Sequence, residues 1–145
     1  MESPDQVATA RKATLEDSQS VWRLAKEFAT SFALEQGAFE RAFGEIIGCD
    51  HMILRVAEKN QIILGYVLAD IHPTLYANGS VVWVEEIFIE PESRRHGIGK
   101  LLMEAVEEWA RTRSARLVAL ATRRAASFYS AIGYEESATY FRKLL

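Results

Sequence analysis

Cysteine is nearly absent from the chain. Cys49 stands alone, so no disulfide can close within the sequence, and a reducing compartment fits. Cys49 has no histidine–carboxylate context in sequence, so it reads as a structural thiol and not as a nucleophile. No apolar run approaches the length of a membrane span, and Met1 to Ala10 has no apolar signal region. A cytoplasmic protein with no membrane partner is expected. Positive charge is short too. Against 20 Asp and Glu stand 17 Lys and Arg, a net charge of −3, which gives no reason to expect nucleic acid. There is no internal repeat, low-complexity tract or linker. No metal is expected.

What is present is an ordinary soluble composition, 49% hydrophobic and 26% charged, over 145 residues. That makes one domain, residues 1–145, large enough to bury a core. Val7 to Ala13 reads as a short strand. Thr14-Leu15-Glu16-Asp17 matches a capping box with Asp at its third helical position. A helix follows to about Ala29, with Val21, Leu24, Ala25 and Phe28 on its apolar face. A second helix, Leu34 to Ile47, is weakened by Gly37 and Gly44 and stops at Gly48. Met52 to Ala57 and Gln61 to Ile71 read as strands joined at Lys59-Asn60. Val81 to Ile89 is the next strand. The firmest helix comes after it: Ile98, Leu101, Leu102, Ala105, Val106 and Trp109 fall at helical spacing. Leu117 to Ala121 is an apolar strand, and strand–helix–strand makes a parallel crossover. A last helix, Arg124 to Ile132, ends at Gly133, and the tail from Tyr134 to Leu145 supplies one or two antiparallel strands.

The start of the long helix is anomalous. A helix N-terminus carries partial positive charge and attracts Asp or Glu. Here stand Arg94, Arg95, His96 and Lys100, with Gly97 and Gly99 between them. Free backbone N–H groups, cationic side chains and little steric cover suit a phosphate or pyrophosphate. The alternative is a solvated basic turn.

The spacing Arg94-x-x-Gly97-x-Gly99, after a strand ending Ile87-Phe88-Ile89, resembles the acyl-CoA motif of the GNAT superfamily of N-acetyltransferases. Thr122-x-x-Ala125-x-x-Phe128-Tyr129, closing on Gly133-Tyr134, resembles that family's second signature, with Thr122 where asparagine is usual. The resemblance implies a mixed α/β fold. Its central sheet is mostly antiparallel and flanked by helices, with one parallel β-α-β crossover and a splayed gap between the strands ending at Ile89 and Ala121. It implies acetyl-CoA as co-substrate. The pantetheine arm would lie in the gap against the backbone of Ile87, Phe88 and Ile89. Arg94, Arg95, His96, Gly97, Ile98, Gly99 and Lys100 would hold the pyrophosphate, with Thr122 and Phe128 as further contacts. A homodimer is expected.

Strand alternation puts Glu85 on one face with Val81, Trp83, Ile87 and Ile89, and Glu86 on the other with Val82, Val84 and Phe88. Both faces are apolar, so both acids read as buried, where a carboxylate is costly unless paired or used. Either is an ion-pair partner or a base for a cationic amine. The family's polyamine acetyltransferases place their proposed base at the position of Glu85, so Glu85, on the face with Trp83, is the expected base, and Glu86 is expected mainly to affect stability. The expected activity is transfer of acetyl from acetyl-CoA to an amine by direct attack, with Tyr129 as the acid for the leaving thiolate. A small amine such as a polyamine, amino acid or aminoglycoside is the expected acceptor. Glu86, Trp83, Phe32, Tyr76 and His72 are the candidate acceptor contacts. Two alternatives stand beside it: acetylation of protein N-termini or lysines, and a non-catalytic acyl-CoA-binding module.

Overall fold

A computed structural model describes residues 7–145. Residues 1–6, part of the stretch inspected for a signal region, lie outside the described residues. Five strands form one sheet in the order β1 (Thr9–Lys12), β2 (Met52–Lys59), β3 (Ile62–Pro73), β4 (Ser80–Ile89) and β5 (Val118–Leu120). The first four pair antiparallel, and β4 pairs with β5 in parallel. Helices α1 (Ser18–Phe28) and α2 (Gln36–Ile47) cover one face. Helices α3 (Ile98–Thr112) and α4 (Ala126–Ala131) cover the other. Alternation in the central strands feeds both layers: Leu54, Val56, Tyr66 and Leu68 pack toward α1 and α2, while Ile53, Val67, Ala69 and Val84 meet Leu102 and Val106 of α3.

Local sequence explains several of these boundaries. The Thr14 N–H donates to Asp17 Oδ2 at 2.8 Å, and a single 3-10 turn, Leu15–Asp17, leads into α1. Asp17 also takes both ends of the Arg11 guanidinium at 2.8 Å, and Arg11 Nε donates to Glu58 at 2.7 Å. This forked bond holds the buried Asp17 carboxyl below the usual carboxylate range. The β2–β3 hairpin turns on Asn60 and Gln61, both left-handed with φ of 52° and 65°. At the end of α4, Gly133 (φ 97°) lets the Tyr134 N–H reach Tyr129 O at 2.9 Å, while its own N–H reaches Ser130 O at 3.2 Å. That six-to-one and five-to-two pair closes the helix and lays Tyr134 beside Tyr129.

Three features differ from the expected pattern. First, β4 carries a bulge: Leu68 pairs with Glu86 and Ala69 with Val84, leaving Glu85 without an opposite residue. The extra residue shifts the alternation. Val82, Val84, Ile87 and Ile89 share the α3 face, while Trp83, Glu86 and Phe88 share the α1 face. The two-set alternation read across Glu85 is therefore corrected. So is the expectation that both acids are buried: Glu85 is exposed and Glu86 is half-buried. Second, β5 is only three residues long and meets β4 only from Val82 to Val84. Third, the tail from Tyr134 to Leu145 takes no strand. It is tied instead by side chains: Tyr134 Oη donates to Glu107 at 2.8 Å, Tyr140 stacks on Trp83, and Arg142 donates to Ser31 Oγ at 3.0 Å.

Candidate active site

Beyond Val84, β4 runs on to Ile89 with no paired strand on its outer side among the described residues. Which backbone groups face that gap follows from the register. The Glu90 N–H donates to Leu64 O, so that pair exchanges hydrogen bonds with β3. Alternation in an antiparallel ladder then turns Phe88 and Glu86 toward β3, and Ile87 and Ile89 toward the gap. Arg94 Nε, at 2.9 Å, already occupies the Ile89 carbonyl. Both groups of Ile87 and the Ile89 N–H remain for a ligand lying along the edge. Phe88 offers no backbone group to the gap. Its ring packs edge-on to Phe28 and under the Arg94 guanidinium, 5.2 Å from the ring centroid.

The gap leads to the N-terminus of α3. Gly97 caps that helix in the left-handed conformation, φ 82°, with no side-chain hydrogen bond to the first turn. Arg95 is also left-handed, φ 66°. A Cβ on Gly97 would meet nothing within 4 Å, so the free N–H groups of Ile98, Gly99 and Lys100 are open to an approaching anion. Arg94, Arg95, His96 and Lys100 are exposed around them. The two glycines differ. A Cβ on Gly99 would stand 3.1 Å from the Phe128 ring, so its smallness serves the packing of α3 against α4. Ile98 likewise gives its side chain to the core. A cleft of about 410 Å³ continues from Lys100 past Glu104 and Glu107 to the end of α4.

Phe128 and Tyr129 stand on the α4 side. Their rings meet edge-on at 4.9 Å, and Tyr129 meets Tyr134 in the same way at 5.9 Å. Tyr129 is only 7% exposed, and burial raises its pKa. Among the described residues, no fully buried side-chain polar atom lacks a partner. The Tyr129 hydroxyl makes no hydrogen bond there either, so it opens on accessible space. Thr122 is exposed, and its hydroxyl accepts from the Ala125 N–H at 3.1 Å, which orders the turn into α4.

The model of the acetyltransferase (GNAT) family matches residues 16–134. The chain is a GNAT acetyltransferase. An aminoglycoside N(6')-acetyltransferase type 1 of Salmonella typhimurium is 30% identical over 109 residues, covering 68% of this chain and 74% of that protein. AAC(6')-Iy in complex with the bisubstrate analogue CoA-S-monomethyl-acetylneamine superposes with a TM-score of 0.80 at 24% identity, over 96% of this chain and 99% of that one. A transcriptional regulator from Bacillus halodurans reaches 0.86 at 24% identity, over 96% and 100% of the two chains. At such identities the likeness of solved structures establishes the fold. This acetyltransferase takes its acetyl group from acetyl-CoA, and the open β4 edge and the α3 terminus, which has no side-chain cap, fit that extended phosphorylated molecule.

On the acceptor side the GNAT frame brings some expected residues together and leaves others apart. Trp83 and Glu86 share the α1 face of β4, with the Glu85 bulge between them. Trp83 is stacked by Tyr140 of the tail, centroids 6.2 Å apart. Phe32 lies 68% exposed in the α1–α2 connection, and Tyr76 lies 74% exposed in the β3–β4 loop. His72 is exposed and pairs with Asp70 at 3.2 Å. A residue that the sequence reading missed is Tyr66, 2% exposed, whose hydroxyl donates to Glu86 Oε1 at 2.7 Å. Burial raises the pKa of Glu86; the Tyr66 bond opposes that shift and the charge of Glu85 adds to it. No spacing rule points to Tyr66, since it pairs across strands with Phe88 and reaches Glu86 diagonally. The one available signal is a tyrosine inside a mostly aliphatic strand.

Proposed function

We propose that this GNAT acetyltransferase acts on a small cationic amine of polyamine, amino-acid or aminoglycoside type. The observation that carries the reading is the pair of carboxylates at the β4 bulge, next to the open edge. Glu85, exposed there, draws the protonated amine. Glu86, half-buried and steered by Tyr66, accepts the amine's proton, directly or through a water. A carboxylate with a raised pKa is the better base, and Glu86 shares its face of β4 with Trp83, which supports Glu86 in that role. Trp83 and its partner Tyr140 offer aromatic surface to an alkyl chain or a cation. The name of the Salmonella relative supports an amine acceptor.

Acetyl-CoA supplies the thioester carbonyl that the amine attacks. Ile87 and Ile89 align it by strand-like pairing, and a gap-facing N–H polarises its oxygen. The first turn of α3, with Arg95 and Lys100, holds the pyrophosphate. Tyr129 holds a proton at Oη for the departing sulfur. No covalent step on the protein is required. We propose further that the protein is cytoplasmic and dimeric. The tail residues Tyr140, Phe141, Leu144 and Leu145 are exposed and give a second copy an apolar surface. Sedimentation of the purified protein reads the dimer.

A thiol-release assay with acetyl-CoA against polyamines, amino acids, aminoglycosides and short peptides tests the reading. Release above background with a small amine is expected. Release with peptides alone moves the acceptor to proteins, and binding of acetyl-CoA without release by any amine leaves a binding module.

A further inference from the structure

A second charged site lies at the opposite end of α3, across the sheet from the bulge. A cavity of about 200 Å³ opens where β1 and β2 meet the C-terminal ends of α2 and α3. Three cations line it: Lys12 from β1, Arg55 from β2 and Arg113 after α3. Trp109 forms one wall. Measured along α3, Arg113 lies about 22 Å from the first turn, at about 1.5 Å per residue.

The arrangement gathers like charges around one cavity. Lys12 and Arg55 are direct partners in the β1–β2 register, so two positive charges face each other across neighbouring strands. Both follow the parity of Ala10 and Ala57, which pack on the α3 face, so both share that face with Trp109. Arg55 is half-buried, and burial alone lowers its pKa. Among the described residues Arg55 makes no side-chain hydrogen bond, and none of the three cations has an ion-pair partner within 4 Å. Arg113 is held over Trp109, 5.3 Å from the ring centroid, and donates to the Asp50 carbonyl. That pose pre-orients the guanidinium. Asp50 is the single acid in the lining. The carbonyl ends of α2 and α3 also face this region, and their partial negative charge accounts for cations nearby. They do not account for a half-buried arginine with no acceptor among the described residues and a lysine set directly against it.

We propose that this cavity is a second anion site, one that takes a small oxyanion of more than one negative charge, phosphate or a phosphate monoester. Such a ligand joins Lys12, Arg55 and Arg113 through charge-assisted bonds and gives the Arg55 side chain the acceptor it otherwise lacks. Its volume exceeds that of the bare anion, which leaves room for the organic part of a monoester. The site is separate from the α3 N-terminus and does not depend on the acceptor assigned above.

Calorimetric titration of the full-length protein with inorganic phosphate and with glycerol phosphate, against chloride at matched ionic strength, tests it. Arg55→Met and Lys12→Gln are the variants. Lys12 is exposed, so Lys12→Gln folds even if Arg55→Met does not. Saturable binding that weakens at least tenfold in each folded variant, with acetyl-CoA affinity unchanged, is expected. Equal affinity for the two probes identifies free phosphate as sufficient, and tighter glycerol phosphate identifies a monoester. Binding that is unchanged in the variants belongs to the α3 N-terminus, and absence of saturable binding leaves only dipole compensation; either result overturns the proposal.

Discussion

Removing the single oxygen of Tyr129 separates chemistry from packing. In Tyr129→Phe the ring keeps its edge contacts with Phe128 at 4.9 Å and Tyr134 at 5.9 Å. The hydroxyl has no hydrogen-bond partner among the described residues, so its loss strands no donor or acceptor. Burial is the cause of its raised pKa, so removal also relieves a polar group in an apolar setting. The stability change should stay within about 0.5 kcal/mol, or a shift of roughly 2 °C in melting temperature for a chain of this size. Turnover behaves differently. Losing a positioned acid should slow thiol release by roughly ten- to a thousandfold, about 1.4 to 4 kcal/mol on the barrier. The acetyl-CoA affinity should hold, because the ring remains. The raised pKa adds a constraint on pH: the phenol stays protonated past its ordinary value near ~10, so no fall in wild-type rate below that pH belongs to Tyr129. Steady-state kinetics beside thermal melts of the same preparations decide. Wild-type turnover in Tyr129→Phe removes the acid. A lost rate accompanied by a melting point many degrees lower reduces the tyrosine to a packing residue.

Glu86→Gln should cut turnover most at low pH, where the acceptor is protonated, and recover partly as pH rises; a flat ratio to wild type across the profile would refute it. It should also not destabilise. The folded pKa of Glu86 is raised, so wild-type folding loses stability as pH climbs from the ordinary carboxylate range through the folded value, and Gln escapes that loss while still accepting from Tyr66. Gly97→Val places a β-branched residue at φ 82° and should weaken acetyl-CoA binding more than tenfold in a folded protein; unchanged affinity would move the pyrophosphate elsewhere. Asp17→Asn breaks the fork with Arg11 and should cost about 2 to 4 kcal/mol at neutral pH by urea denaturation. Asp17 has a lowered folded pKa, so its contribution is present above the ordinary carboxylate range and fades as pH falls through the folded value, and the variant's deficit should shrink in acid. A deficit that persists at low pH would assign the loss to packing.

The sequence alone determined what depends on near neighbours. Helical spacing specified α3, the Thr14–Asp17 pattern placed the turn into α1, and Gly133 closed α4, because capping and periodicity act over a few residues. The basic, glycine-containing turn at Gly97 was legible for the same reason: its signal is the wrong charge at a helix start, and that is written consecutively; its role in holding the pyrophosphate is a proposal. Only the tertiary structure decided the rest. The bulge at Glu85 has no local signature, since Glu-Glu in an apolar strand reads the same with or without an extra residue, and a single insertion exchanges faces for every residue beyond it. Tyr66 and Glu86, 20 residues apart, meet only through β3–β4 pairing. Lys12 and Arg55 meet only through the β1–β2 register. The tail is expected to supply strands, yet it stays irregular and is tied through Tyr134, Tyr140 and Arg142, because strand formation needs a partner in register and that is a property of the whole fold.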